Sequence, residues 1–185
     1  MTGDITNLLS RAREGDRGAM DELVGTLYLE LHRMAHARLA QNSTITLLDT
    51  TSMVHETYLR LRSAGRIEAE SRGQFLAYVA HVMRSVIVDV VRKRLAERRG
   101  GGVADVTLAI ELLDGSQITD DDIERVNEAV LELEKSDPRL KQIVEMRFFV
   151  GLTEEEIAEA LGISDRTVRR DWERARMLLS VALQH

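Results

Sequence analysis

Between Leu152 and Arg176 the chain admits few conformations. The stretch Leu152-Thr153-Glu154-Glu155-Glu156 offers a hydroxyl that can cap a helix and a glutamate three residues on that can reach back to it, the reciprocal arrangement called a capping box. Ile157 and Leu161 lie four apart and give that helix its buried face. Gly162 follows where the backbone must turn, and glycine takes a left-handed angle at little cost. Ile163 is placed to plug the angle between two helices and Ser164 to cap the second. Val168, Trp172 and Leu179 hold that second helix to a core, so the tryptophan is expected inside and not as a stacking platform. The segment predicts helix, tight turn, helix.

Asp165, Arg166, Thr167, Arg169, Arg170 and Glu173 are then left facing outward near the start of the second helix. A recognition helix reads base edges with its first turns. Arginine can grip guanine with two hydrogen bonds, and further arginines can neutralise phosphates. Arg174 and Arg176 lie further along, where phosphate is the natural target. An ordinary helical hairpin would also carry a charged face. Here the lengths, the turn glycine, the plug and the basic face coincide, which favours DNA.

The rest of the chain is helical by the same periodicity, and no strand-type alternation persists. Ile5, Leu8, Leu9 and Ala12 mark a first helix, and Gly15 and Gly18 bracket a break. Leu23, Leu27, Leu31 and Met34 predict one longer helix. Gln41–Thr44 reads as a loop. Val54, Tyr58 and Leu61 mark a third helix entered through Asp49-Thr50-Thr51-Ser52, all good caps, and ended by Ser63-Ala64-Gly65. Phe75, Val79, Val82, Val86 and Val90 keep one face of a fourth helix apolar until Gly100-Gly101-Gly102. Ile123, Val126, Val130 and Leu133 open a second helical unit, and Asp137-Pro138 caps the helix carrying Leu140, Val144 and Phe148. The expectation is an all-α chain of two small helical domains, 1–99 and 123–185, joined by a flexible linker over 100–122.

Composition narrows the class. With no cysteine among 185 residues there is neither disulfide nor thiolate metal site, and the cytoplasm is the expected home. No signal segment is visible, no apolar stretch reads as long enough to cross a bilayer, and no membrane role is expected. The net charge of −6 argues against a free-standing DNA binder, yet its distribution is uneven. Residues Arg72 to Arg99 carry seven cations against Asp89 and Glu97, and Arg166 to Arg176 carry five arginines. Between them Asp105 to Glu134 is acidic save for Arg125. This suggests two nucleic-acid contacts joined by an acidic connector, although charged stretches also serve as solvated helix faces.

Leu152–Arg176, with its helix beginning Asp165-Arg166-Thr167-Val168-Arg169-Arg170, resembles the C-terminal promoter-reading domain of sigma factors. Met53-Val54-His55-Glu56-Thr57-Tyr58-Leu59-Arg60-Leu61 resembles the polymerase-binding helix of that family's first domain. Phe75-Leu76-Ala77-Tyr78-Val79-Ala80, running on to Asp89 and Arg92-Lys93-Arg94, is similar to the helix that meets promoter DNA. With these two domains alone the chain resembles the extracytoplasmic-function group. The resemblance implies docking on a coiled coil of the largest subunit of RNA polymerase core enzyme, through Asp49, Thr50, Thr51, Ser52, His55 and Glu56. It implies a minus-ten contact by Arg66, Arg72, Arg84, Arg92, Lys93 and Arg94, with the loop near Ser63 to Arg72 capturing an unstacked base. It implies a minus-thirty-five contact by Ser164, Asp165, Arg166, Thr167, Arg169, Arg170 and Arg174. The acidic linker would lie in the RNA-exit path, and no cofactor is expected.

One departure from the family pattern is informative. The family places Asp-Ala-Glu-Asp before its polymerase-binding helix, and this chain has Asp49-Thr50-Thr51-Ser52. Two carboxylates that face polymerase cations have become hydroxyls, and charge-assisted hydrogen bonds are worth about 1.5–3 kcal/mol each. Phosphorylation of Thr51, ahead of Thr50 or Ser52, would restore negative charge at a helix N-terminus. The missing acids resemble those of sigma subgroups switched on by Ser/Thr kinases, so such a kinase joins polymerase and promoter DNA as an expected partner. Helix capping alone would also account for the hydroxyls.

Other classes fit less of the chain. An enzyme could use His32 and His36, four apart, to hold a metal, but no third ligand stands nearby and no nucleophile–base set or phosphate loop appears. A self-sufficient helix-turn-helix repressor leaves Met53–Leu61 unexplained. A degenerate sigma factor acting only as an interaction protein is the remaining alternative, suggested by the lost acids.

Overall fold

The computed structural model describes residues 2–40, 49–65, 67–98 and 119–183, and every regular element among them is a helix. In the N-terminal half these are α1 (Thr2–Arg13), α2 (Arg17–Thr26), α3 (Tyr28–Ala40), α4 (Thr50–Ser63) and α5 (Arg72–Arg98). In the C-terminal half they are α6 (Asp120–Ser136), α7 (Pro138–Val144) continued by a π-helical turn (Glu145–Phe149), α8 (Glu154–Leu161) and α9 (Asp165–Leu183).

The break at Gly15 falls where glycine makes it possible, with φ at 91°. Asp16 then caps α2, accepting from the backbone N–H of Gly18 at 2.9 Å and of Ala19 at 3.2 Å. The Arg11 guanidinium, 2.7 Å away, is the first cause holding the Asp16 carboxyl below the usual range. The single long helix expected through Leu23, Leu27, Leu31 and Met34 is instead two, divided at Leu27, where ψ is 6°. Thr26 donates its hydroxyl back to the Glu22 carbonyl at 2.8 Å, the kind of side-chain bond that bends helices. All four leucine and methionine side chains are nonetheless buried, so the periodicity survives the kink.

Helix α5 is the central element. At 27 residues it is about 40 Å long. Phe75, Val79, Ala80, Met83, Val86, Ile87 and Val91 along it are all buried. The expectation that no apolar stretch reaches bilayer length is corrected here, since Arg72–Glu97 is long and apolar enough by those criteria alone. A helix apolar nearly all round belongs either in a membrane or in a protein core. This one packs against α1 and α4 of its own half and against α6, the π turn and α8 of the other. A single hydrophobic cluster runs from Leu8 through α5 to Leu183.

Residues 99–118 lie outside those described, so the linker expected over 100–122 is seen only at its end. There Thr119 and Asp122 form a capping box, each side chain accepting from the other's backbone N–H, at 3.2 and 2.9 Å. The helix therefore begins at Asp120, ahead of the expected Ile123. Asp137 and Pro138 start α7 as anticipated, with Leu140 N–H donating to Asp137 at 3.3 Å.

Candidate nucleic-acid and polymerase interface

The turn between α8 and α9 is built from the residues the sequence marks. Thr153 and Glu156 complete the capping box, Gly162 has φ 65° and ψ 35°, and Ser164 accepts from the N–H of Thr167 at 3.3 Å. Trp172 is buried, with the Arg147 guanidinium carbon 4.8 Å from its ring centroid. On the opposite face Asp165, Arg166, Arg169, Arg170 and Arg174 are exposed beside the cap Ser164, and Thr167 is half-buried.

Most of these arginines rest on local carboxylates. Arg169 donates from Nε and Nη2 to Glu154 Oε2 at 3.0 and 2.9 Å, and Arg147 holds the other oxygen at 2.9 Å. The two guanidiniums, Arg169 foremost, keep the Glu154 carboxyl below its usual range. Arg170 bonds Asp171 Oδ1 at 3.1 Å, while Arg139 lies 2.8 Å from Oδ2 in charge contact without hydrogen-bond alignment. Arg174 pairs with Asp137 at 3.2 Å. Arg166 has no ion-pair partner among the described residues. The Arg169, Arg170 and Arg174 side chains are themselves 58–70% exposed, so a phosphate or base can reach them, although Asp171, the partner of Arg170, is buried. Arg176 is less available, its side chain only 18% exposed and set against Glu173 at 3.5 Å.

The minus-ten candidates are placed differently. Arg66 lies outside the described residues, and Lys93 is exposed. Arg84 is buried, its Nη1 donating to Asn127 Oδ1 at 2.9 Å and its Nε 3.0 Å from Glu145 in ionic contact without hydrogen-bond alignment. Arg72 reaches Glu159 of α8 at 2.8 Å and lies 2.8 Å from Glu30. Arg92 meets Glu124 at 3.0 Å and Arg94 meets the buried Asp120 at 3.3 Å. Sequence spacing could not have shown that these cations face acids of the other half.

At the N-terminus of α4, Asp49 accepts from Ser52 N–H and from the Ser52 hydroxyl, both at 2.9 Å. These bonds, the backbone one first, hold its carboxyl below the usual range, so it is anionic at neutral pH. Thr51, Ser52, His55 and Glu56 are exposed and Thr50 is half-buried. The Thr51 hydroxyl makes no hydrogen bond among the described residues. Leu59, four residues after His55 and 42% exposed, extends this surface with an apolar group that the motif reading passed over. No group of histidine and carboxylate residues among those described is arranged to hold a metal, His32 and His36 included.

An all-helical chain with an arginine row exposed on the second helix of a helix–turn–helix falls in the class of transcription factors. The comparison with known families narrows this. The chain belongs to the ECF sigma factor family, whose profile matches residues 2–185. It is thus an alternative sigma factor acting in transcription initiation, with RNA polymerase core and promoter DNA as its partners. Among curated proteins no match is found.

Proposed function

We propose that this sigma factor docks on the coiled coil of the polymerase's largest subunit through the start of α4, in the cytoplasm, and that docking is gated by phosphate on Thr51. One observation carries the reading. At the position where the family's acids would stand, Thr51 presents an exposed hydroxyl without a hydrogen-bond partner among the described residues, whereas Ser52 is engaged by Asp49. A Ser/Thr kinase would transfer the γ-phosphoryl of ATP to Thr51 Oγ1, releasing ADP and the hydroxyl proton. The phosphate brings about −1.5 to −2 charges and three acceptor oxygens. It would sit in the first turn of α4, where the backbone N–H groups and helix dipole favour an anion. Arginine on the polymerase could then bind it with two parallel hydrogen bonds.

In this reading α9 reads the minus-thirty-five element through Arg166, Arg169 and Arg170, with Ser164, Asp165 and Thr167 beside them and Arg174 on phosphate. The cations of α5, Arg72, Arg84, Arg92, Lys93 and Arg94, with Arg66 before them, are assigned to the minus-ten DNA. Extracting a base there costs a few kcal/mol, which polymerase docking and phosphate contacts must offset.

The test is promoter-specific transcription with core enzyme. Kinase-treated protein is expected to initiate, and the Thr51→Ala variant treated in the same way is not. Equal initiation by both would remove Thr51 as the gate and leave the sigma activity standing.

A further inference from the structure

Two of the α9 arginines assigned to the minus-thirty-five element are held in the same way. Arg169 donates from Nε and Nη2 to one oxygen, Glu154 Oε2, at 3.0 and 2.9 Å. Arg170 donates from the same two nitrogens to Asp171 Oδ1, at 3.2 and 3.1 Å. In each case the acid takes the side of the guanidinium. The end of the fork, Nη1 with the outer hydrogen of Nη2, makes no hydrogen bond among the described residues. That end carries the two parallel donors that match O6 and N7 of guanine. Arg174 differs, since it spends Nη1 itself on Asp137.

Glu154 is itself anchored from behind. Its second oxygen accepts from Arg147 Nη1 at 2.9 Å, and the Arg147 guanidinium lies over the buried Trp172 ring. Arg147 stands on the π-helical turn and Glu154 opens α8, so three elements converge on one side chain of α9. The charge count suits DNA. Arg147 already neutralises Glu154, so Arg169 keeps its full positive charge toward the duplex and no uncompensated acid stands beside the phosphates. Asp171 repeats the pattern, with Arg139 2.8 Å from its other oxygen in charge contact.

We infer that Glu154, backed by Arg147, is a positioning residue for base readout: it presents the free end of the Arg169 guanidinium to one base pair of the minus-thirty-five element and stays bound to Arg169 in the promoter complex. The inference rests on the assignment of α9 to that element. A long exposed side chain loses rotamer freedom when it docks on a base, and one already held loses less. Holding matters more for a base than for a phosphate. Two hydrogen bonds to O6 and N7 require the fork to lie in the plane of the pair, whereas a phosphate fixes position without reading sequence. Glu154 therefore raises discrimination and not total affinity, which its charge alone would lower.

The probe is a pool of duplex DNA randomised across the minus-thirty-five and minus-ten windows. It is presented to holoenzyme assembled with the full-length protein, and sequencing of the bound fraction reads the base preference at each position. Arg169→Ala should flatten the preference at one position by about fivefold to a hundredfold. Glu154→Ala should lower the preference at that same position by at least about threefold, with total DNA binding undiminished and the position read by Arg166 as in wild type. Glu154→Gln, which keeps an oxygen able to accept from Arg169, should recover part of the loss. Both variants leave the Thr153 and Glu156 capping box in place. In the Arg169→Ala background, Glu154→Ala should change no preference further. A loss spread over every position would make the role of Glu154 merely structural and overturn the inference. Unchanged preference, with or without tighter binding, would make Glu154 a competitor that DNA displaces and overturn it equally. No effect of Arg169→Ala at any position would instead remove the assignment of α9 on which the inference rests.

Discussion

Gly73 and Ala160 touch backbone to backbone, so closely that no side chain fits between them. Helix propensity alone predicts that Gly73→Ala should stabilise the chain by up to about 1 kcal/mol. The contact predicts the opposite sign, a loss of about 1–3 kcal/mol from overpacking. Denaturant unfolding of the two proteins decides between them. A more stable alanine variant would mean that α5 and α8 do not meet as described.

Arg84 and Glu145 form a buried charge pair across the same interface, with side chains 7% and 2% exposed. Arg84→Met leaves Glu145 in low dielectric with His81 at 2.9 Å and Lys141 at 3.9 Å still beside it, so the loss should reach at most about 3–5 kcal/mol. Adding Glu145→Leu to it should recover most of that loss, since buried pairs are often replaced by apolar groups without penalty. A double-mutant cycle measures the coupling. Additive single losses would show that the pair does not form in solution.

How much of this was legible beforehand depended on where each signal resides. The α8–α9 turn is written in adjacent residues, from the Thr153 and Glu156 box to Gly162 and the Ser164 cap, and it stands as read. Trp172 lies in the core as its spacing from Val168 indicated. The kink at Leu27 was missed because the apolar spacing runs straight through it, and the Thr26 side-chain bond leaves no mark on that spacing. The π turn at Glu145–Phe149 was missed for a similar reason, since an extra residue in one turn barely shifts an apolar pattern. Arg84 follows the same helical period whether it meets DNA or Glu145. Only the packing of α5 on the other half distinguishes these.

The cap of α4 carries a pH dependence. Its two bonds from Ser52 lower the folded-state pKa of Asp49 below the unfolded value. Its stabilisation is therefore complete above the ordinary aspartate value of about 4 and is lost as pH falls through the depressed folded value. Asn also caps helices well but does not titrate. The stability advantage of wild type over Asp49→Asn should shrink as pH is lowered below about 4. An advantage constant or growing with acid would show that Asp49 is not the anionic cap.

Arg166 and Arg174 should differ in kind. Arg166 stands in the first turn of α9 without an ion-pair partner among the described residues, whereas Arg174 lies two turns on, against Asp137. With holoenzyme, Arg166→Ala is expected to relax discrimination at one minus-thirty-five position by about 1–3 kcal/mol. Arg174→Ala should weaken all promoters alike and reduce the salt slope by about one. Promoter competition at several salt concentrations reads both. The reverse pattern would put Arg174 on a base and Arg166 on phosphate.

The most direct test of the account is the affinity of the full-length protein for polymerase core enzyme, compared among wild type, Thr51→Glu and protein phosphorylated at Thr51. Charge-assisted contacts of about 1.5–3 kcal/mol predict a gain of roughly tenfold or more on phosphorylation, with Thr51→Glu between the other two. Equal binding by all three forms would contradict gating at Thr51, and weaker binding by the phosphorylated form would contradict the placement of Thr51 against polymerase cations.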